Sequence, residues 1–392
     1  MTAPLPPRLS AFSAAQRLSF DSLRGLIALL LVVQHMGQCG FSVVPQAYTH
    51  QRFVSVAIFF TLSGFLITRS VLRPAVFVPR DFLRGRVRRI FPPYLICLLF
   101  MVVMVEPGFL LHDPAGVTLG NVAAHVTLTY AWFAHYADAI VPPLWTLSHE
   151  WSFYLLMAGS AFLLRRRYGW WLPVGMIVGA LFCRLGVNKG TLVLANDMRH
   201  GFCIMDLFAF GMIAGALSRK EGVVRQMQRG VVVGPLLVVA TALVGWALHR
   251  HYSVALLMEG DYAEHWRFHA EFSNLFLDQR SSLLWYQPAL AAGTAIFLLV
   301  LWLRPRFCAG WLRYTPLPWM GKVSYSTYLW HWAIIVSFMR AMRRTPEDSV
   351  WQHSWASFFL LLAAIYALSA VTWYFFERPF MKVPEPRRAA EG

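Results

Sequence analysis

Charge is scarce in this sequence. Asp, Glu, Lys and Arg make up 14% of its 392 residues, little more than half the share usual in a soluble domain. That scarcity excludes a soluble domain of ordinary composition. Cysteine is scarce too. The five residues, Cys39, Cys97, Cys183, Cys203 and Cys308, show no Cys-x-x-Cys and no Cys/His ligand spacing. Neither a disulfide framework nor a zinc site is supported, and no metal is expected. There is no internal repeat, and no low-complexity tract beyond a tail containing Pro and Arg. The first 22 residues lack a small-residue cleavage site behind an apolar core, so the first apolar run is expected to be a retained helix.

Hydrocarbon is what the chain has in abundance. Hydrophobic residues reach 57%, with 16 Trp and 30 Phe, and several apolar runs approach the ~20 residues needed to cross a bilayer. The expected fold is an all-α polytopic membrane bundle of about ten transmembrane helices, over 23–41, 53–71, 90–105, 144–164, 170–187, 202–217, 230–249, 284–303, 323–340 and 354–376. With the N-terminus inside, 25 of the 35 Lys and Arg fall on the inner side and nine on the outer, and Arg184 falls within a span. This is the positive-inside pattern. It accounts for the net charge of +16 without a nucleic-acid partner, and it predicts a multi-pass protein of the inner membrane with both termini cytoplasmic. Residues 1–22 then form a cytoplasmic segment, 23–376 the transmembrane domain and 377–392 a cytoplasmic tail. Residues 118–135, which contain His125 and His135, are too polar for a span and are expected as an interfacial or re-entrant piece on the outer face. The mixed-charge loop 250–283 is expected to cap the same face.

Against this apolar background the ionisable residues stand out. In LRGLIALLLVVQHMG, Leu23 to Gly37, His35 lies eleven positions after Arg24. A helix turns them onto one face about 16 Å apart. Arg24 alone fits an anchor at the inner interface, but His35 lies about 9 Å below the outer end of its span. Glu150 lies equally deep in the antiparallel fourth span. A buried histidine and carboxylate can act as base and orienter, although each could equally be a packing polar group. In RDFLRGRVRRIFPPY (80–94), topology and anionic lipid explain most of the arginines. Arg86 and Arg89, spaced i, i+3, nevertheless project together, and guanidinium forks suit phosphate. Ser63 and Gly64 read as a helix-packing pair. Trp145, Trp151 and Tyr154 gather beside Glu150, either as an interfacial belt or as aromatic faces of a sugar site. His331 lies mid-span behind Ser324, Tyr325 and Tyr328.

Taken in order, DSLRGLIALLLVVQH (21–35), FFTLSGFLITR (59–69), RVRRIFPPY (86–94), PLWTLSHEWSFYLL (143–156), GKVSYSTYLWHW (321–332) and FERP (376–379) resemble the acyltransferase-3 family of integral membrane O-acyltransferases, along nearly the whole chain. Gly85 and His149 depart from the pattern, and no extracytoplasmic hydrolase-like domain is expected after the last span. The resemblance implies transfer of an acyl group, above all acetyl, from cytoplasmic acyl-CoA to a carbohydrate or glycan hydroxyl on the outer side. It implies Arg24, Arg86 and Arg89 at the donor phosphates and His35 as base. Glu150 would polarise His35 or position the acceptor, and an acyl-histidine route is the variant. Trp145, Ser148, Tyr154, Tyr325 and His331 are the expected acceptor-lining residues. The rival reading is a proton-coupled transporter or glycan flippase with a His35/Glu150 relay, against which stands the lack of an inverted repeat. A scaffold for glycan assembly is the third reading.

Overall fold

The computed structural model describes residues 13–49, 52–104, 118–133, 136, 140–166, 168–188, 201–257, 272–342 and 350–381. Parts of three expected segments therefore lie outside the described residues: 1–12 of the N-terminal segment, 258–271 of the outer cap and 382–392 of the tail. His135 does so too.

Every regular element among the described residues is helical. In chain order they are α1 (Ala14–Gln38), α2 (Gln46–Thr49), α3 (Arg52–Leu72), α4 (Pro79–Met104), α5 (Leu119–Val126), α6 (Trp145–Leu164), α7 (Trp171–Asn188) and α8 (Met205–Leu217). There follow α9 (Glu221–Arg229), α10 (Val233–Leu257), α11 (Phe272–Leu303), α12 (Arg306–Leu312), α13 (Leu317–Lys322), α14 (Ser324–Met342), α15 (Trp355–Thr372) and α16 (Arg378–Met381). A π-helical turn, Trp373–Glu377, joins the last two. Each of the ten expected spans falls on a helix. Length and apolar composition by themselves qualify four of these to cross a membrane: Ala14–Gln38, 54–72, Trp285–Leu303 and 355–381. A fifth, Gly201–Leu217, bends by 82° into the amphipathic Glu221–Arg229. The remainder are shorter or carry polar side chains toward the interior.

Local chemistry sets the helix ends and their contacts. Ser13 and Gln16 close a capping box at the start of α1, which satisfies two backbone donors reciprocally. The Gln16 amide also donates to the Trp302 carbonyl at 2.7 Å, tying the start of α1 to the end of α11. The Ser63-Gly64 pair does what small residues do in membrane bundles. A Cβ on Gly64 would run into the Phe208 carbonyl, and one on Gly211 into the Thr61 carbonyl, so α3 and α8 meet backbone to backbone. Phe208 then stacks between Phe60 and Phe153, with ring centroids 4.4 and 4.3 Å away. Arg184, the one cation expected inside a span, is fully buried and paired with the equally buried Asp206, joining α7 to α8.

The packing that positions the site runs through α1, α4, α6 and α14. Helix α1 lies against α13, α14 and α3, while α4 lies against α6, α14 and the π turn. The segment 118–133 forms α5 followed by a turn in which Leu128 has φ 56°, an uncommon conformation for a bulky residue. The Ser148 hydroxyl donates to the Leu128 carbonyl at 2.7 Å and holds that turn on the outer end of α6.

Candidate active site

Two polar groups lie along α1, one around Arg24 and one around His35, about 16 Å apart; in the expected orientation they are the inner and the outer group. The inner group is cationic. Of the arginines between 80 and 89, Arg80, Arg84 and Arg88 are exposed, whereas Arg86 and Arg89 turn partly inward. This is the outcome the i, i+3 spacing implies. The Arg86 guanidinium lies 5.3 Å from the ring centroids of both Phe82 and Tyr154. Arg24 pairs with Asp21 at 4.0 Å and lies within electrostatic reach of Arg89, Tyr154 and Glu150. Three partly buried guanidiniums brought near one another repel and favour an anion.

Glu150 sits beside this group, buried in the second turn of α6. Its Oε1 accepts from the Ser63 hydroxyl at 2.9 Å and from the Tyr154 hydroxyl, and the carboxylate is within electrostatic reach of Arg86. Ser63 therefore both borders the glycine contact and serves the carboxylate. Its role at Glu150 has no local sequence signal, because the two residues are 87 positions apart.

The outer group is built from two imidazoles. His35 Nδ1 and Gln38 Oε1 are 3.0 Å apart, while Gln38 Nε2 donates to the Thr49 carbonyl at 2.9 Å. The second bond fixes the amide with its oxygen toward His35, so Nδ1 carries the hydrogen and the lone pair of the neutral ring is on Nε2. Gln38, not Glu150, is thus the group that orients this imidazole. The His331 ring centroid lies 5.1 Å from that of His35, and Trp332 packs edge-on at 5.6 Å. His331 is fully buried. Its Nδ1 donates to the carbonyls of Tyr328 at 2.8 Å and Thr327 at 3.2 Å, and its Nε2 has no hydrogen-bond partner among the described residues. A buried lone pair without a donor is costly, and a ligand hydroxyl could satisfy it.

Helix α14 connects the two groups. Tyr325, Tyr328 and His331 recur every three residues along one side, rising about 9 Å. Tyr325 donates to the Ile90 carbonyl at 2.9 Å, just ahead of Pro92 and Pro93, which interrupt the α4 hydrogen bonds. Tyr328 donates to the Pro143 carbonyl at 2.6 Å and lies 2.7 Å from the Thr146 hydroxyl. Among the expected lining residues, Tyr325 and Ser148 thus commit their hydroxyls to backbone carbonyls. Trp145 packs edge-on against Phe60 and His149, and Tyr154 serves Glu150.

An acyltransferase domain family matches residues 17–374. The chain is 25% identical over 343 residues to BcsY of Komagataeibacter xylinus, provisionally named a membrane-bound transacylase, covering 83% of this chain and 74% of that protein. It is 27% identical to the exopolysaccharide production protein ExoZ of Rhizobium meliloti, over 86% of this chain and 92% of ExoZ. It is 22% identical to the peptidoglycan O-acetyltransferase OatA of Listeria monocytogenes, over 96% of this chain. The chain spans little more than half of OatA, 57% of its length. No solved structure matches it. From the family match along nearly its whole length, this chain belongs to the acyltransferase-3 family of membrane acyltransferases.

Proposed function

We propose that the protein is an acyl-CoA-dependent O-acyltransferase that moves an acyl group, most simply acetyl, from a cytoplasmic donor to a hydroxyl of a glycan on the outer side of the inner membrane. Arg24, Arg86 and Arg89 hold the donor phosphates at the inner mouth. The pantetheine arm runs along the Tyr325–Tyr328–His331 side of α14 and brings the thioester to His35. His35 Nε2 takes the proton of the acceptor hydroxyl as its oxygen attacks the thioester carbonyl. The carbon–sulfur bond then breaks, and the proton passes from His35 to the departing thiolate. His331 Nε2 accepts a hydrogen bond from the acceptor. Glu150, held by Ser63 and Tyr154, balances the arginines between the two ends.

The observation that carries this reading is the Thr49–Gln38–His35 chain. It fixes one tautomer and leaves the lone pair on the nitrogen that a general base needs. Relatives named for peptidoglycan O-acetylation and exopolysaccharide production support a glycan acceptor. His35→Ala should lower acylation about 10²–10⁴-fold at unchanged protein level and donor binding. His35→Gln, which cannot take up the proton, should be nearly as inactive. Mass spectrometry of surface glycans from cells carrying each variant reads the product. Normal acylation by well-expressed His35→Ala would remove His35 from the chemistry, and a proton-coupled transporter would then fit better.

A further inference from the structure

The carboxylate of the closing FERP segment has no part in the chemistry above, yet it is among the most buried charges in the protein. Glu377 is 1% exposed, while its neighbours Tyr374 and Phe375 are 55% and 60% exposed. The π turn Trp373–Glu377 produces this inversion. The widened turn shifts the register at the end of α15, so the aromatic rings face outward and the acid faces the bundle. Such turns gather at functional sites. Arg378, the next residue, is turned away and lies over the Trp373 and Tyr374 rings.

The surroundings of Glu377 are those of the donor site. Its Oε2 accepts from the Ser326 hydroxyl at 2.9 Å. The π turn packs on α4 and α14, and the carboxylate is within electrostatic reach of Arg89 on α4, Arg24 on α1 and Tyr325 on α14. The other acids near these cations differ from it. Asp21 is 29% exposed at its side chain and screened by water, and Glu150 is held by Ser63 and Tyr154 toward the outer half. Glu377, on a π turn that packs against the helix carrying Arg89, is a fully buried negative charge within electrostatic reach of Arg89 and Arg24. A polyphosphate donor needs those same two guanidiniums.

We infer that Glu377 is a built-in competitor of the donor's phosphates, occupying the charge of Arg24 and Arg89 in the empty site and setting how fast spent coenzyme A leaves. This rests on the donor assignment above. Acyl-CoA and coenzyme A carry identical phosphates, so a site made only of guanidiniums would hold product as tightly as substrate. An internal carboxylate weakens both equally and keeps turnover from stalling on release.

The test uses full-length protein in lipid nanodiscs, with coenzyme A and phosphate-free pantetheine as probes. Glu377→Gln should bind coenzyme A about tenfold more tightly, since a buried like charge has been removed from an anion site, with pantetheine binding unchanged. Both kcat and KM for acetyl-CoA should fall, because release becomes slower. Glu377→Asp, which keeps the charge, should stay within about threefold of wild type in coenzyme A affinity. If Glu377→Gln does not fold, Glu377→Met carries the same expectation. Coenzyme A affinity that is unchanged or weaker in the neutral variants would overturn this inference alone. Failure of wild type to bind coenzyme A at all would overturn it together with the donor assignment.

Discussion

Arginine spacing near residue 86 makes a discriminating experiment possible at the scale of single residues. Five arginines lie within ten positions, and charge alone would make them equivalent. Burial separates them, with Arg86 and Arg89 turned inward and Arg84 and Arg88 exposed. Each charge-assisted contact to a donor phosphate is worth about 1.5–3 kcal/mol. Arg86→Ala and Arg89→Ala should therefore each raise the KM for acetyl-CoA by about one to two orders of magnitude. Arg84→Ala and Arg88→Ala should change it less than about threefold. Arg89→Lys should recover only part of the loss, because an ammonium cannot form the bidentate fork. Steady-state kinetics on the five variants settles the assignment, and equal losses at Arg84 and Arg89 would sink it. The inward pair was legible in the sequence because it depends only on helical spacing. Glu150 and His35 were legible as anomalies in apolar surroundings, but the partners each one has were not. The imidazole takes its orientation from Gln38 three residues along its own helix, and the carboxylate from Ser63 on another.

The same division holds among the helices. Apolar run length and small-residue pairs identify helices and their close approaches, so the place of each of these helices and the Gly64 contact could be read directly. Contacts between helices distant in sequence could not. Arg184 was visible as a charge inside a span, but nothing in the sequence names Asp206 as its partner. Nor does the sequence show that the FERP acid turns inward, since that depends on a π turn. The buried ion pair gives the α7–α8 contact a testable energetic character. Removing one member leaves the other charge uncompensated in a low-dielectric interior and costs about 3–5 kcal/mol, whereas replacing both by apolar residues of similar size is often neutral or better. Asp206→Ala should accordingly lower the thermal midpoint in detergent markedly, while the double variant Arg184→Met with Asp206→Leu should stay near wild type. A single and a double variant of equal stability would mean that the pair is not electrostatically isolated.

For the molecule as a whole, what matters is which side each polar group faces, because donor and acceptor are assigned to opposite compartments. The assignment rests on the split of Lys and Arg, 25 on one side against nine on the other. Moving an arginine into the bilayer centre costs roughly 2.5–3.5 kcal/mol by insertion scales. The turn between α3 and α4 leads into the arginines of the donor end, and Val76 within it is 77% exposed, so a cysteine there reports the donor side without disturbing packing. Cys39, Cys97, Cys183 and Cys203 are buried, and Cys308 can be replaced by serine to leave a quiet background. A membrane-impermeant maleimide applied to intact cells should label a cysteine placed within 258–271 and leave Val76→Cys unlabelled until the membrane is opened. Val76 is exposed, so Val76→Cys should also retain acylation, which verifies that the labelled protein is the folded one. Labelling of Val76→Cys from outside would turn Arg24, Arg86 and Arg89 away from the cytoplasm. A cytoplasmic acyl-CoA could then no longer be the donor, whatever the chemistry at His35.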